Sequence, residues 1–122
     1  MTSALLCLAL AVYHEARGEP FRGQVAVAQV VMRRAALDDA KICHVVAIPR
    51  QFSPAVRRHA AGRAAWGRAV IAAQKAMLWA KGAGQDESRG ADHFHSGAQP
   101  AWARSMWPVA VIGGHSFYRS RT

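Results

Sequence analysis

The stretch LLCLALAVYHEARGEP, residues 5–20, decides how this chain begins to fold. Its apolar side chains recur at the spacing of one helical face, which comprises Leu5, Leu8, Ala9, Val12, Tyr13 and Ala16. Gly18 and Pro20 follow, and both residue types are typical of the positions just beyond a helix. The pattern therefore predicts a helix over residues 3–17 and a turn over residues 18–22.

Glu15 falls beside the buried face of this predicted helix, two turns after Leu8. Its carboxyl group should be half desolvated and close to the negative end of the helix dipole. Both effects disfavour the ionised carboxylate, which is what a general acid working near neutral pH requires. The alternative is an ordinary helix-terminal glutamate that pairs with Arg17, since structural ion pairs are common.

The rest of the chain predicts an α+β fold, with a helical core and a small antiparallel sheet formed late in the sequence. Hydrophobic periodicity predicts further helices over residues 23–37 and 64–81. The apolar seam of the last helix would contain Trp66, Val70, Ala73, Met77 and Ala80. Residues 93–95 read as a strand, and residues 109–112 and 115–119 read as a hairpin joined by two glycines. The length fits one domain over residues 1–122.

The chain is strongly basic, since it contains sixteen Lys and Arg residues and only seven Asp and Glu residues, which gives a formal charge of +9. Such a charge favours binding to polyanions, among them nucleic acid, an anionic cell envelope or an acidic lipid surface. The densest basic patch contains Arg57, Arg58, His59 and Arg63. A solvated loop and a surface that docks on the envelope both explain this patch.

Two cysteines, Cys7 and Cys43, are too few for a disulfide scaffold. Both lie in apolar runs, which favours two buried thiols over one bridge between them. The apolar run over residues 4–12 lacks a basic flank and is shorter than the roughly 18 residues that span a bilayer. We interpret it as a core helix. An enzyme acting in the periplasm or cell wall would then need another route of export or release.

Glycosidic cleavage commonly combines one protonated carboxyl group with a second carboxylate. Glu19, Asp86 and Asp92 are the candidates for this second group. Glu19 has an alternative role in pairing with Arg17 or Arg22, and Asp86 has one in turn or capping hydrogen bonds. A lone acid also suffices if the sugar's own hydroxyl attacks, which gives an internal anhydro product.

Three histidines are candidate ligands of a metal site. His93 and His95 alternate on a predicted strand and should share a face, and His115 could come from the neighbouring strand. Three imidazoles would suit zinc, and a basic metal nuclease or nucleic-acid-binding protein is the rival class of function. No Asp, Glu or Cys at a known ligand spacing supports this site, so we expect neither metal nor cofactor. Trp102 and Tyr118 fit either a saccharide groove or the core.

Taken in order, the motifs of this chain resemble those of the SleB- and CwlJ-type cell wall hydrolases. The resemblance begins with residues 9–20, continues through residues 23–33 and covers nearly the whole chain. The later matching positions are short: Ile42-Cys43, Val45-Val46, Gln51-Phe52-Ser53, Asp86, Gly90-Ala91, Pro100, Trp102, Ile112-Gly113, His115 and Phe117-Tyr118-Arg119. The chain departs from the family at residues 92–95, where the family tends to place tyrosines that line the groove.

The resemblance implies a fold similar to lysozyme and the lytic transglycosylases. It implies cleavage of the β-1,4 bond between N-acetylmuramic acid and N-acetylglucosamine in peptidoglycan, by hydrolysis or by lytic transglycosylation. The family's catalytic glutamate is the first of its E-A-R-G-E motif, which corresponds to Glu15 here. A compact basic chain of this kind also resembles a phage endolysin, although a bacterial wall-remodelling enzyme fits the same features.

The sequence therefore predicts Glu15 as the catalytic acid of a peptidoglycan-degrading glycosidase. The expected partners are glycan strands and the anionic envelope surface, without nucleic acid, and the enzyme is expected to act as a monomer. The residues expected to contact substrate are Glu19, Gln51, Ser53, His93, His95, Trp102, His115 and Tyr118.

Overall fold

The computed structural model describes residues 1–46 and 60–121 and confirms the α+β fold. The helices are α1 (Ser3–Ala16), α2 (Phe21–Arg34), α3 (Ile42–Val45) and α4 (Ala60–Ala80). The strands are β1 (His93–Ser96), β2 (Trp107–Ile112) and β3 (His115–Arg119). Short 3-10 helices lie at Asp39–Lys41 and Ala101–Ser105. The first helix, the β1 strand and the hairpin were all predicted at nearly these bounds.

Helix α1 is a core helix, as its apolar run predicted. The Thr2 hydroxyl accepts a hydrogen bond from the Leu5 amide at 3.2 Å, which caps the first turn. Most of the predicted apolar face is buried, including Leu8, Val12 and Tyr13. Within the described ranges, no helix combines the length and the apolarity that a membrane crossing requires.

Helix α2 begins two residues before the predicted start and ends three residues before the predicted end. It ends early because Ala36 and Leu37 adopt positive φ angles of 57° and 60°. In this conformation the Leu37 amide donates to the Met32 carbonyl at 2.8 Å, which closes the helix. Gly23 allows β2 to approach, because a Cβ there would lie 3.2 Å from Cγ2 of Ile112.

Helix α4 starts at Ala60, so residues 60–63 are helical and not part of the predicted basic loop. Of the predicted seam, Trp66 and Ala73 are buried. The other buried positions are small side chains that form a stripe at helical spacing with them: Ala65, Ala69, Ala72 and Ala76. Larger residues such as Val70 and Met77 only flank it. The alanines let α4 pack closely against both α1 and α2.

The three strands form an antiparallel sheet in the order β1-β3-β2, so β1 and β2 are its edges. Phe94 pairs with Phe117 and His95 pairs with Ser116. Because side chains alternate along a strand, these two pairs lie on opposite faces. We call the face with Phe94 and Phe117 the inner face, because it joins the helical core. The face with His95 and Ser116 is the outer face.

The prediction of two buried thiols was wrong, because Cys7 and Cys43 form a disulfide. The bridge joins α1 to α3 across a separation of 36 residues, with the Cα atoms 5.4 Å apart. The prediction was based on the apolar residues around each cysteine. Apolar neighbours indicate that a cysteine is buried, but they do not indicate whether it forms a disulfide. Helix packing brings the two side chains together.

Candidate active site

Glu15 lies in the last turn of α1, directly after the buried segment that anchors the helix. Its side chain is 46% exposed, which matches the half-desolvated position that the sequence predicted. The expected alternative partner, Arg17, instead donates a hydrogen bond to the hydroxyl of Tyr13. Its guanidinium also lies 4.9 Å from the centre of the Tyr13 ring. Glu15 is therefore positioned by the helix and not by a salt bridge with Arg17.

A cavity of about 270 Å³ opens beside the Glu15 carboxyl group, and we call it the Glu15 cavity. Its walls come from α1, α2, the end of α3 and the inner face of β1. The described lining comprises Ala11, His14, Glu15, Val30, Val31, Arg34, Val45, Val46 and Phe94. Glu15 is the one carboxylate in this described lining. The site thus offers one acid on an otherwise apolar and cationic wall.

A histidine and an arginine share the lining of this cavity with Glu15. His14 Nε2 lies 3.9 Å from Glu15 Oε1. Arg34 extends from α2 into the same lining. Sequence reasoning missed both residues, together with Phe94, Val45 and Val46. The spacing of Val30, Val31 and Arg34 along one face of α2 was the signal that could have found the arginine.

Glu19 points away from this cavity and holds the hairpin turn. Its Oε1 accepts a hydrogen bond from the Gly114 amide at 2.7 Å and lies 4.0 Å from Nδ1 of His115. The predicted pairing with Arg17 or Arg22 was therefore wrong. The carboxylate links the α1–α2 turn to the β2–β3 turn. Glu19 therefore connects two turns of the structure. Its contact with substrate stays a prediction.

Asp86, a second candidate carboxylate, accepts hydrogen bonds from several groups in and around the loop before β1. Arg33 Nη2 donates to Asp86 Oδ2 at 2.6 Å, and the Ser88 hydroxyl donates to Oδ1 at 2.6 Å. Burial raises the pKa of Asp86, but the hydrogen bonds from Ser88, Arg33 and the Gly90 amide outweigh it and leave the pKa below its usual value of 3.8. This group is a stable carboxylate and a structural one.

Asp92, the third candidate, is also engaged. It accepts hydrogen bonds from His93 Nδ1 at 2.9 Å and from the amide and hydroxyl of Ser120. Burial raises the pKa of Asp92, and the hydrogen bonds from His93 and Ser120 lower it further than burial raises it. Asp92 fastens the start of β1 to the end of β3. Neither Asp86 nor Asp92 lines the Glu15 cavity.

Four of the predicted substrate residues form an aromatic cluster on the outer face of the sheet. The rings of His95 and Tyr118 stack at 5.3 Å, and His95 Nε2 lies 2.9 Å from the tyrosine hydroxyl. Trp102 packs edge-on against both rings and also contacts His93 at 5.4 Å. The structure brings these residues together, but on the face opposite Phe94 and the Glu15 cavity.

His115 lies on the inner face, so the three-histidine metal hypothesis does not fit the sheet. Its side chain is 2% exposed and packs 5.4 Å from the Phe94 ring. Within the described part of the chain neither of its ring nitrogens has a hydrogen-bond partner. The register places His93 and His95 on the other face. The described residues also contain no group of three His, Cys, Asp or Glu that could hold a metal.

Two predicted substrate residues, Gln51 and Ser53, lie outside the described residues. Most of the basic patch, Arg57, Arg58 and His59, lies outside them as well.

Comparison with known proteins gives one match. A family model described as cell wall hydrolase matches residues 18–118 of the chain. No curated protein and no solved structure matches it. The matched residues include the Asp86 network, the whole sheet and the aromatic cluster, and they begin three residues after Glu15.

Proposed function

The chain belongs to the cell wall hydrolase family, whose substrate is peptidoglycan, and we propose that it cleaves the glycan strand itself. The proposed bond is the β-1,4 linkage between N-acetylmuramic acid and N-acetylglucosamine. Glu15 is the proposed general acid. The observation that carries this proposal is the Glu15 cavity, where a single half-exposed carboxyl group faces a space of about 270 Å³.

The family match begins at Gly18 and does not include Glu15, so the support for its proposed role comes from its position in the structure. Small-ligand pockets begin at roughly 300 Å³, so a cavity of this size suits part of one sugar unit while the strand continues outside it. The carboxyl group is presented at the end of a rigid, buried helix. A rigid support is what proton transfer to one oxygen atom requires.

The chemistry needs only one carboxyl group. Glu15 gives its proton to the glycosidic oxygen as the bond to the muramic acid carbon breaks. The resulting carboxylate then takes a proton from the attacking hydroxyl, which belongs either to the same sugar or to water. The first path leaves an anhydro sugar and the second a reducing end. The placement of Glu19, Asp86 and Asp92 in structural contacts favours the single-acid path.

Two further features support action at the cell wall. The disulfide between Cys7 and Cys43 fits an oxidising compartment such as the periplasm or the cell exterior. The net charge of +9 favours retention on an anionic envelope. Glycan strands and the envelope surface are therefore the proposed partners, and the enzyme is proposed to act on them as a monomer.

The test is digestion of purified peptidoglycan by wild type and by Glu15→Gln. We expect the wild type to release soluble fragments and the variant to be slower by about 10²- to 10⁴-fold, the usual cost of losing a general acid. Mass spectrometry of the fragment ends then separates anhydro products from reducing ends.

Glu87→Gln is the matched control, because it makes the same chemical change at a carboxylate that lines other cavities. It should retain the wild-type rate. Equal rates for Glu15→Gln and wild type would overturn the assignment of Glu15. Release of fragments that contain cut peptides and intact glycan would overturn the proposed bond.

A further inference from the structure

A second cavity, of about 490 Å³, lies on the outer face of the sheet, and we call it the outer cavity. This open cavity is bordered by β1 and the segment after it, by the 3-10 helix at Ala101–Ser105, and by β2 and β3. Its polar lining comprises His95, Gln99, Arg104, Ser116, Tyr118 and Arg121. The mechanism proposed for Glu15 leaves this cavity without a role.

The charge of the outer cavity selects an anion. Arg104 and Arg121 are both in the lining, and the described lining contains no carboxylate. The guanidinium of Arg121 lies 4.0 Å from the centre of the Trp107 ring, which holds one of the two cations in place. Asp92, the acid of the adjoining β1–β3 end, is already bound to His93 and Ser120. Guanidinium groups recognise carboxylates through paired N–H donors.

The two cavities are separated by a single edge strand. Phe94 lines the Glu15 cavity and the next residue, His95, lines the outer cavity. Because β1 is an edge of the sheet, no further strand among the described residues lies beyond it. A branch of the substrate can therefore pass over this edge. An extended peptide reaches roughly 3.3 Å per residue, so three or four residues of a branch span about 10 Å, which is enough to lead from one side of an edge strand to the other.

Peptidoglycan has such a branch, since its glycan strands carry short peptide stems with free carboxylates. We propose that the outer cavity binds the stem carboxylates, with Arg104 and Arg121 as the recognising cations, while the glycan occupies the Glu15 cavity. This inference rests on the proposed function and adds a charge requirement on the stem. The enzyme would then select strands by the ionisation state of their peptides as well as by their sugars.

The test measures binding without cleavage. In a Glu15→Gln background, affinity is titrated for soluble glycan strands with native stems and for the same strands after their carboxyl groups are converted to amides. We expect the native strands to bind about tenfold more tightly, the effect of one or two charge-assisted contacts. Adding Arg104→Gln and Arg121→Gln should abolish this difference and leave the affinity for amidated strands unchanged.

Arg68→Gln with Lys81→Gln is the matched control, because it removes two exposed charges from α4 and the turn after it. It should keep the tenfold preference at constant ionic strength. Equal affinity for native and amidated strands in the parent protein would overturn the proposal. A control that loses as much preference as the arginine variant would overturn it too, because the effect would then come from total charge. Failure of the proposed function would show separately, as wild type that releases no glycan fragments.

Discussion

At the scale of single residues, the contact between Glu19 and Gly114 brings the α1–α2 turn close to the β2–β3 turn. The Glu19 carboxylate binds the Gly114 amide, and Gly113 beside it has φ of +57°. A Cβ on Gly113 would lie 2.2 Å from Glu19 Oε1 and 2.7 Å from Cδ of Pro20. Only a residue without a side chain fits between this turn and the turn that joins α1 to α2.

We therefore expect Gly113→Ala to destabilise the protein by about 2–4 kcal/mol, through backbone strain together with overpacking. Gly97→Ala is the control, since Gly97 has a similar φ of +73° but no atom of residues 1–46 or 60–121 lies within 4 Å of the added methyl group. It should cost only about 1 kcal/mol. Urea denaturation measures both values. Equal losses would show that the close approach to Glu19 is unimportant.

At the scale of elements, the disulfide fixes a wall of the Glu15 cavity. It ties α3 to α1, and Val45 at the end of α3 lines the cavity with Glu15. Helix α1, which carries Glu15, and the neighbouring wall of the cavity are therefore covalently linked. Closing a loop of this length removes conformational entropy from the unfolded chain.

We expect the double variant Cys7→Ser with Cys43→Ser to lose about 3–4 kcal/mol of unfolding free energy in the chain-entropy model. Thermal melting with and without a reductant checks this. Reductant should lower the melting temperature of wild type to that of the variant and leave the variant unchanged. A wild type that is insensitive to full reduction would contradict the stabilising role of the bridge.

At the scale of the whole molecule, two partly buried carboxylates hold the start of the sheet in place and make stability depend on pH in the acid range. Asp86 is held by Arg33 from α2, and Asp92 by Ser120 after β3. Both have a pKa below the usual value of 3.8. Their stabilisation is fully present above that value, where both carboxyl groups are ionised in the folded and the unfolded chain. Below it the unfolded chain binds protons more readily than the folded one, so the stabilisation decreases. It is lost as the pH falls through the lower pKa of the folded state.

Asp86→Asn should therefore lower the unfolding free energy by roughly 1–3 kcal/mol at neutral pH, the cost of breaking hydrogen bonds to a charged group. Its stability should also fall less steeply than that of wild type below about pH 4. Asp39→Asn removes one carboxylate outside this network and should follow the wild-type curve. Denaturant titrations across this pH range test both expectations. Parallel curves for wild type and Asp86→Asn would contradict the role of Asp86.

Much of the fold was predictable because it follows from local signals. The apolar run before Glu15 specified α1, and two β-type runs joined by Gly113-Gly114 specified the hairpin. Helix ends were less predictable. The early end of α2 depends on the left-handed backbone of Ala36 and Leu37, residues that do not usually adopt it.

The sequence by itself determined the helix that ends in Glu15, the α+β order of elements and the resemblance to cell wall hydrolases, because period, turn residues and motifs are all local along the chain. Only the tertiary structure decided which side chains meet. Strand alternation separated His115 from His95, and helix packing joined Cys7 to Cys43. Contacts between distant segments depend on register and packing, which no short stretch of sequence encodes.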